Sequence, residues 1–174
     1  WQIASVVAVS VDNSPIGAFA LADSLKEDSL QAIQRLHQHN IDVVIMSGDQ
    51  QSVVDYVAQQ VGVKTAQGNC SPRDKATYIE RLRQQGKVVA MVGDGVNDAP
   101  ALAMANVSFA MKSGSDVAEQ TASATLMQHS VDQLVDGLMI SRATLKNIKQ
   151  NLFFALIYNV LGIPLAALGY LSPV

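Results

Sequence analysis

The sequence predicts an α/β fold: a doubly wound parallel sheet, then a long stalk helix continuing into a transmembrane helix. Over residues 1–150, short apolar runs alternate with stretches of helical period, the pattern of strands covered by helices on both faces. Two of these runs pass straight into polar clusters, Ser47-Gly48-Asp49 and Gly93-Asp94-Gly95-Val96-Asn97-Asp98. Residues 152–171 read LFFALIYNVLGIPLAALGYL without one charged side chain, matching the ~20 residues a helix needs to cross a hydrocarbon core.

Residues 6–11 and 16–21 are short β-rich runs separated by Asp12-Asn13-Ser14-Pro15, a turn signal. Leu30, Ile33 and Leu36 keep a helical period, and residues 41–46 follow as an apolar strand. Val53, Val54, Val57 and Val61 mark the next helix, closed by Gly62. Ile79 and Leu82 lie in a further helix that ends near Gly86, and residues 88–92 are again a strand. A short helix over 99–105 precedes strands at 107–111 and 124–127. The last helix starts near Val131, with apolar Leu134, Leu138, Leu145, Ile148 and Leu152, and runs into the uncharged segment. These elements divide into a domain over 1–130, a stalk over 131–151 and a membrane helix over 152–171.

With 174 residues the chain can bury one real core, and its net charge of −3 without a basic run argues against nucleic acid as a partner. A single cysteine, Cys70, precludes an internal disulfide and suits a reducing compartment. Residue 1 is Trp, with no basic stretch behind it, so the N-terminus reads as internal to a longer protein rather than as a signal peptide. His37, His39, His129 and Cys70 lack paired ligand spacing and read as structural or surface residues.

The cluster over 93–98 carries the strongest chemistry. Its glycines let backbone turn tightly beside a ligand. Asp94 and Asp98 bring two hard oxygen ligands and Asn97 a neutral amide to one strand tip, a set that suits magnesium on a phosphoryl group. The plainer alternative makes Asp98 an N-cap, with Pro100 in the first turn of its helix. Ser47, Gly48 and Asp49 offer a hydroxyl and exposed amides for phosphate oxygens, though Ser-Gly-Asp is also an ordinary turn. Lys75 opens a helix, where its charge opposes the dipole unless it faces an anion; otherwise it is a solvated surface lysine.

A hydroxyl after one strand, a lysine at a helix start and Gly-Asp-Gly-x-Asn-Asp after the next strand resemble the ordered set of the haloacid-dehalogenase superfamily. In that superfamily an aspartate nucleophile becomes an aspartyl-phosphate with Mg²⁺. Residues 92–102, Val-Gly-Asp-Gly-Val-Asn-Asp-Ala-Pro-Ala-Leu, are similar to the signature of P-type ATPases. Asp116-Val117-Ala118, residues 122–127, Ser141-Arg142, Gln150-Asn151-Leu152-Phe153 and Tyr158-Asn159 resemble the heavy-metal branch. The resemblance runs from about Gly17 to Pro164.

It implies the following roles. Ser47 stands for the family's usual phosphoryl-binding threonine, followed by Gly48 and Asp49; Lys75 neutralises the phosphoaspartate; Asp94 ligates Mg²⁺; Asn97 contacts the phosphate; Asp98 supports the site. Glu27 stands where proline is common and Lys112 where glycine is common, both outside the phosphate-binding set. The nucleophile string Asp-Lys-Thr-Gly-Thr is absent; in the family it precedes the inserted nucleotide-binding domain, so this chain alone is expected neither to bind ATP well nor to form the phosphoenzyme.

Tyr158 and Asn159 form a polar pair inside the uncharged run, and Gly162 and Pro164 should bend the helix beyond them. By composition the pair favours an interhelical hydrogen bond over contact with cargo. Tyr-Asn followed by Gly-Ile-Pro resembles the copper(I) exporters, where the pair contributes to the intramembrane metal site. The zinc and cadmium exporters usually carry a lysine on this helix, and residues 151–174 hold none. Arg142, Lys146 and Lys149 precede the span and no cation follows it, so residues 1–150 are expected to be cytoplasmic.

The reading is therefore a part of an ATP-driven Cu(I) export pump in the cell membrane. Its expected partners are the bilayer, the pump's remaining domains and a copper chaperone. Two alternatives stay open: a soluble Mg-dependent phosphatase of the same superfamily, and a non-catalytic truncated phosphorylation domain.

Overall fold

The computed structural model describes residues 5–21, 25–94, 96–112, 116–127 and 130–169. Gly95, His129 and the last two residues of the expected membrane span, 170–171, lie outside them. The chain divides into two compact units, Trp1–Val135 and Asp136–Val174.

In the first unit, β1 (Ser5–Val11) and β2 (Ser14–Leu21) pair antiparallel as a hairpin. Its two-residue turn puts Asp12 and Asn13 at φ of 48° and 62°, the left-handed region that short polar side chains tolerate. The parallel strands form two groups. β3 (Val44–Met46) pairs with β4 (Thr65–Gln67), and β5 (Ala90–Gly93) pairs with β6 (Val107–Met111), which pairs with β7 (Ala124–Leu126). The helices α1 (Glu27–Gln38), α2 (Gln51–Val61), α3 (Pro72–Gln84), α4 (Ala99–Met104) and α5 (Asp116–Thr121) connect them. The α/β class and the parallel pairing are those expected.

The boundaries differ from the expected ones for physical reasons. The strand expected over 41–46 narrows to three residues because its partner β4 is only three residues long. The strand expected over 88–92 begins at Ala90, since Val89 donates its N–H to Asn106 Oδ1 at 2.9 Å instead of to a ladder. β4 escaped the sequence reading: Thr-Ala-Gln has one apolar residue and shows no period. α5 is six residues long and mostly polar, Asp-Val-Ala-Glu-Gln-Thr, so no apolar helical period registers in it.

Around β6, Leu102, Ala110 and Ala118 are buried together, with Met91 and Ala122 packed against them. On α2, Val54, Ala58 and Val61 turn inward, and Gly62 ends the helix at φ 74°. That is the left-handed C-cap expected from its place in the sequence.

The long helix α6 runs from Val131 to Ala167 without a break, and Pro164 sits inside it. At 1.5 Å per residue its 37 residues reach about 55 Å. It is long and apolar enough to cross a membrane, and an 18-residue window of it is wholly unburied. The bend expected at Gly162 and Pro164 does not interrupt the helix, which continues one turn past Pro164; Leu168 N–H still reaches Pro164 O at 2.9 Å.

Candidate functional site

The site is assembled at the carboxyl ends of β3 and β5, where doubly wound sheets leave their crevice. Past β3, the loop 47–51 is laced to the loop 67–70 that leaves β4. Ser47 N–H donates to Gln67 O at 3.0 Å, Cys70 N–H to Ser47 O at 2.9 Å and Asn69 N–H to Asp49 O at 2.7 Å. Gln51 adds side-chain bonds, accepting Gly68 N–H at 2.6 Å and donating to Ala66 O at 3.3 Å. Gly68 is obligatory here, because a Cβ would lie 2.6 Å from Gln51 Cα and 2.8 Å from Asp49 O.

Within the loop, Ser47 Oγ donates to Asp49 Oδ2 at 2.7 Å and accepts Asp49 N–H at 3.3 Å. The expected phosphate-binding hydroxyl is thus held by its own neighbour at the surface. It would have to exchange that partner to meet a phosphate.

Straight after this lacing comes α3. Ser71 caps it, accepting Asp74 N–H at 3.2 Å, while Asp74 Oδ2 accepts Ser71 N–H at 2.8 Å, a reciprocal capping box. The Ser71-x-x-Asp74 spacing was the signal for it. The Ser71 hydroxyl, and then its N–H, hold the Asp74 carboxyl below the usual carboxylate range. Next to it, burial and then the Asp74 charge push the Cys70 thiol up, so it stays protonated and inert at neutral pH.

Lys75 sits in the first turn of α3 and does not point into solvent. Its Nζ donates to Asp98 Oδ1 at 2.8 Å, both side chains being largely buried. Asp98 ends the 3-10 turn Val96–Asp98 that follows β5. The alternative in which it merely caps α4 fails, because no side-chain capping bond is made. Its carboxylate instead lies against Gly93, where an added Cβ would come 2.7 Å from Asp98 Cβ and 2.8 Å from Oδ2. Asp94, before this turn, and Asn97, at its middle, are exposed. The three sequence clusters are therefore drawn together, the first through Cys70 and the capping box, the last through the Lys75–Asp98 pair.

Magnesium fits this donor set. Asp94 stands exposed at the tip of β5, whereas Asp98 Oδ1 is engaged by Lys75, so an ion there would rest on Asp94, the outer face of Asp98, and phosphate and water oxygens that complete its octahedron. Among the described residues no group of three His, Cys, Asp or Glu side chains gathers, so no all-protein metal cage competes with that arrangement. The sequence reading missed Gln51, Gly68 and Asn69 as the frame of the phosphate loop. Asn69, at φ 52°, follows Gly68 as a Gly-Asn pair after a strand, and that pair was the available signal.

In the second unit, Tyr158 is exposed, and Asn159 Nδ2 donates to Ala155 O at 3.0 Å on its own helix. Of the remaining residues read as structural or surface, His37 and His39 are exposed.

The haloacid dehalogenase-like hydrolase family matches residues 2–106, more than half of the chain. The chain belongs to that family. Its relatives narrow the branch. It is 76% identical to a probable cation-transporting ATPase of Haemophilus influenzae, across all of this chain and 24% of that protein. It is 45% identical to a probable copper-importing P-type ATPase A of Enterococcus hirae, over 98% of this chain and 24% of that one. A copper-exporting P-type ATPase of Bacillus subtilis is 44% identical, over 97% and 21%. In structure, a zinc-transporting PIB-type ATPase in its E2.Pi state matches with a TM-score of 0.85 at 34% identity, over 98% of this chain and 28% of that chain. This haloacid dehalogenase-like chain thus spans about a quarter of the length of the curated relatives it matches.

Proposed function

We propose that the chain is the phosphate-handling part of a heavy-metal P-type ATPase that exports Cu(I) on ATP hydrolysis through an aspartyl-phosphate, the nucleophile being supplied from outside these 174 residues. The observation that carries this reading is the Lys75–Asp98 pair. It places a cation from one helix beside the polar tip of β5 and keeps it largely out of water, where it attracts phosphate oxygens more strongly than an exposed lysine does. Opposite charge there offsets the repulsion a nucleophilic carboxylate meets at an anionic phosphoryl group.

Each residue then has a definite task. Asp98 orients Lys75 and takes the ammonium while no phosphate is present. Ser47 and the amides of Gly48 and Asp49 bind phosphoryl oxygens once the Ser47–Asp49 bond opens. Asn97 donates its amide to the same group. Asp94 and Asp98 would hold Mg²⁺, which when bound neutralises phosphate charge and aligns the group for in-line transfer. ATP itself is held by a nucleotide-binding domain outside this chain.

The pump's orientation puts residues 1–150 on the cytoplasmic side, and the domain limits are 1–130, 131–151 and 152–171. Tyr158 and Asn159 line the Cu(I) path, with sulfur donors from other helices completing the soft site and a copper chaperone delivering the ion. Relatives of nearly equal identity carry importing and exporting names. Export is preferred here on Tyr158-Asn159 with Gly162-Ile163-Pro164. The exposed apolar α6 favours this reading over a soluble phosphatase.

The test uses the complete pump in vesicles. Label from the γ-phosphate of ATP should require Cu(I), vanish in Lys75→Met and Asp94→Asn, and never appear on the 174-residue chain by itself. Robust labelling of that chain alone overturns the assignment. Copper-stimulated turnover unchanged by Tyr158→Phe and Asn159→Ala sinks the copper path and leaves the ATPase reading intact.

A further inference from the structure

Within the second unit, three cations stand on one side of α6. Arg142, Lys146 and Lys149 follow one another at spacings of four and three residues, which keeps them within about 60° of one another around the axis. All three are exposed, and among the described residues none is paired with a carboxylate. Asp136 is the one acidic side chain from 136 to 174. Six residues before Arg142, it falls on a different face, about 120° round the helix. Phe153 continues the row four residues past Lys149. With Leu145 and Phe154 it lines the same open groove as the three cations, about 670 Å³ in volume. The rings of Phe153 and Phe154 meet edge to face, their centroids 5.8 Å apart.

The groove is thus cationic at one end and apolar at the other, and the change falls where the uncharged run begins, at Leu152. Along the axis Lys149 stands about 4.5 Å before Leu152, Lys146 about 9 Å and Arg142 about 15 Å. The headgroup layer of one leaflet is about 5–8 Å deep. Lys149 lies within it, Lys146 reaches it along its own aliphatic stem, and Arg142 acts on it from about a Debye length away. An anionic phospholipid presents the complementary chemistry in the same order, a phosphate and then acyl chains. An acidic protein segment would match the cations and leave the phenylalanine end uncovered. We infer that this face of α6 binds the headgroup of an anionic phospholipid, with the phosphate against Lys146 and Lys149 and the first acyl carbons against Phe153 and Phe154. The inference rests on the reading above in which residues 152–171 cross the membrane. A lipid held there fixes how deep the uncharged run sits, because sliding α6 along its axis would pull the cations from the phosphate or the phenylalanines from hydrocarbon.

The experiment uses the complete pump in vesicles made of equal parts phosphatidylglycerol and phosphatidylcholine, with a photoreactive amino acid in place of the exposed Leu145. Light fixes whatever occupies the groove, and mass spectrometry of the adduct identifies it. The phosphatidylglycerol adduct should exceed the phosphatidylcholine adduct about tenfold or more, since each cation near an anionic surface is worth about fivefold in binding. Lys149→Gln should lower that ratio about fivefold. Lys149→Arg should leave it within about twofold, because the charge is kept, and added salt should lower it in the pump with all three cations intact. Equal adducts with the two lipids, a ratio that Lys149→Gln leaves unchanged, or adducts mainly with other segments of the pump would each overturn the lipid site. The last result would mean that the pump's own helices cover this face. A pump that alkaline carbonate washes off the vesicles removes the spanning reading and the lipid site together, so the two failures are told apart before any light is used.

Discussion

Gly93→Ala is the substitution through which the site can be probed most directly. Gly93 is buried at the end of β5 with an ordinary φ, so backbone strain is not at issue; the space for a Cβ is. That atom would stand 2.7 Å from Asp98 Cβ, 2.8 Å from Asp98 Oδ2 and 3.0 Å from Asp98 Cγ. Carbon atoms settle at about 3.5–4.0 Å, so the overlap is about 1 Å. Rotating the Asp98 side chain cannot relieve it, because Cβ is fixed to the backbone. The turn Val96–Asp98 must retreat and draw Oδ1 away from Lys75 Nζ, now at 2.8 Å. Overpacking costs about 1–3 kcal/mol and loss of the charge-assisted bond about 1.5–3 kcal/mol, together about 2.5–6 kcal/mol.

The assay is amide hydrogen exchange on the 174-residue chain in detergent, read at the β6 residues Val107–Ala110 that pair with β5. Protection should fall by about two to four decades. In an Asp98→Gly background the clash is gone, and the same substitution should cost little. Equal cost in both backgrounds would refute the argument, as would full protection in the single variant.

Gly68→Ala drives a Cβ into backbone atoms of Gln51 and Asp49, so the loops 47–51 and 67–70 should separate. The unfolding midpoint in guanidinium should drop by the equivalent of about 2–3 kcal/mol. The Asp74 carboxyl, held low by Ser71, stabilises the fold above the ordinary carboxylate pKa of about 4, and that contribution is lost as pH falls through its lowered value. Ser71→Ala should therefore weaken the protein at pH 6 and flatten its acid limb, visible as converging melting temperatures of variant and wild type near pH 2. Cys70, buried and with its thiol pushed up, should alkylate with iodoacetamide at pH 7.5 far more slowly than free cysteine, by mass spectrometry. Rapid modification would show that the loop 67–70 opens in solution.

Which segments bury, and which chemistry they carry, is legible in the order of the residues. Strand and helix alternate because apolar residues recur at periods that local geometry turns into one buried face, as in Val53, Val54, Val57 and Val61 with Gly62 behind them. The uncharged stretch from Leu152 onward announces α6 for the same reason, as do the polar clusters that follow β3 and β5. Who pairs with whom is not legible there and emerges with folding. Lys75 and Asp98 are 23 residues apart, and nothing local distinguishes an Asp98 that caps α4 from one that neutralises a lysine. The choice falls to the lysine because α3 packs beside the turn and withholds water from both charges. Ser47 is likewise legible as a hydroxyl at a strand tip, but its bond to Asp49 depends on a loop shape imposed by Gln51, Gly68 and Asn69. β4 (Thr-Ala-Gln) and α5 (Asp-Val-Ala-Glu-Gln-Thr) were invisible because they are short and mostly polar, unlike the equally short but apolar α4 and β7, and packing against neighbours is what gives them structure. Patterns in sequence report the cost of exposing a face to water, which is local; partners are chosen by competition among groups that only folding brings within 3 Å of one another.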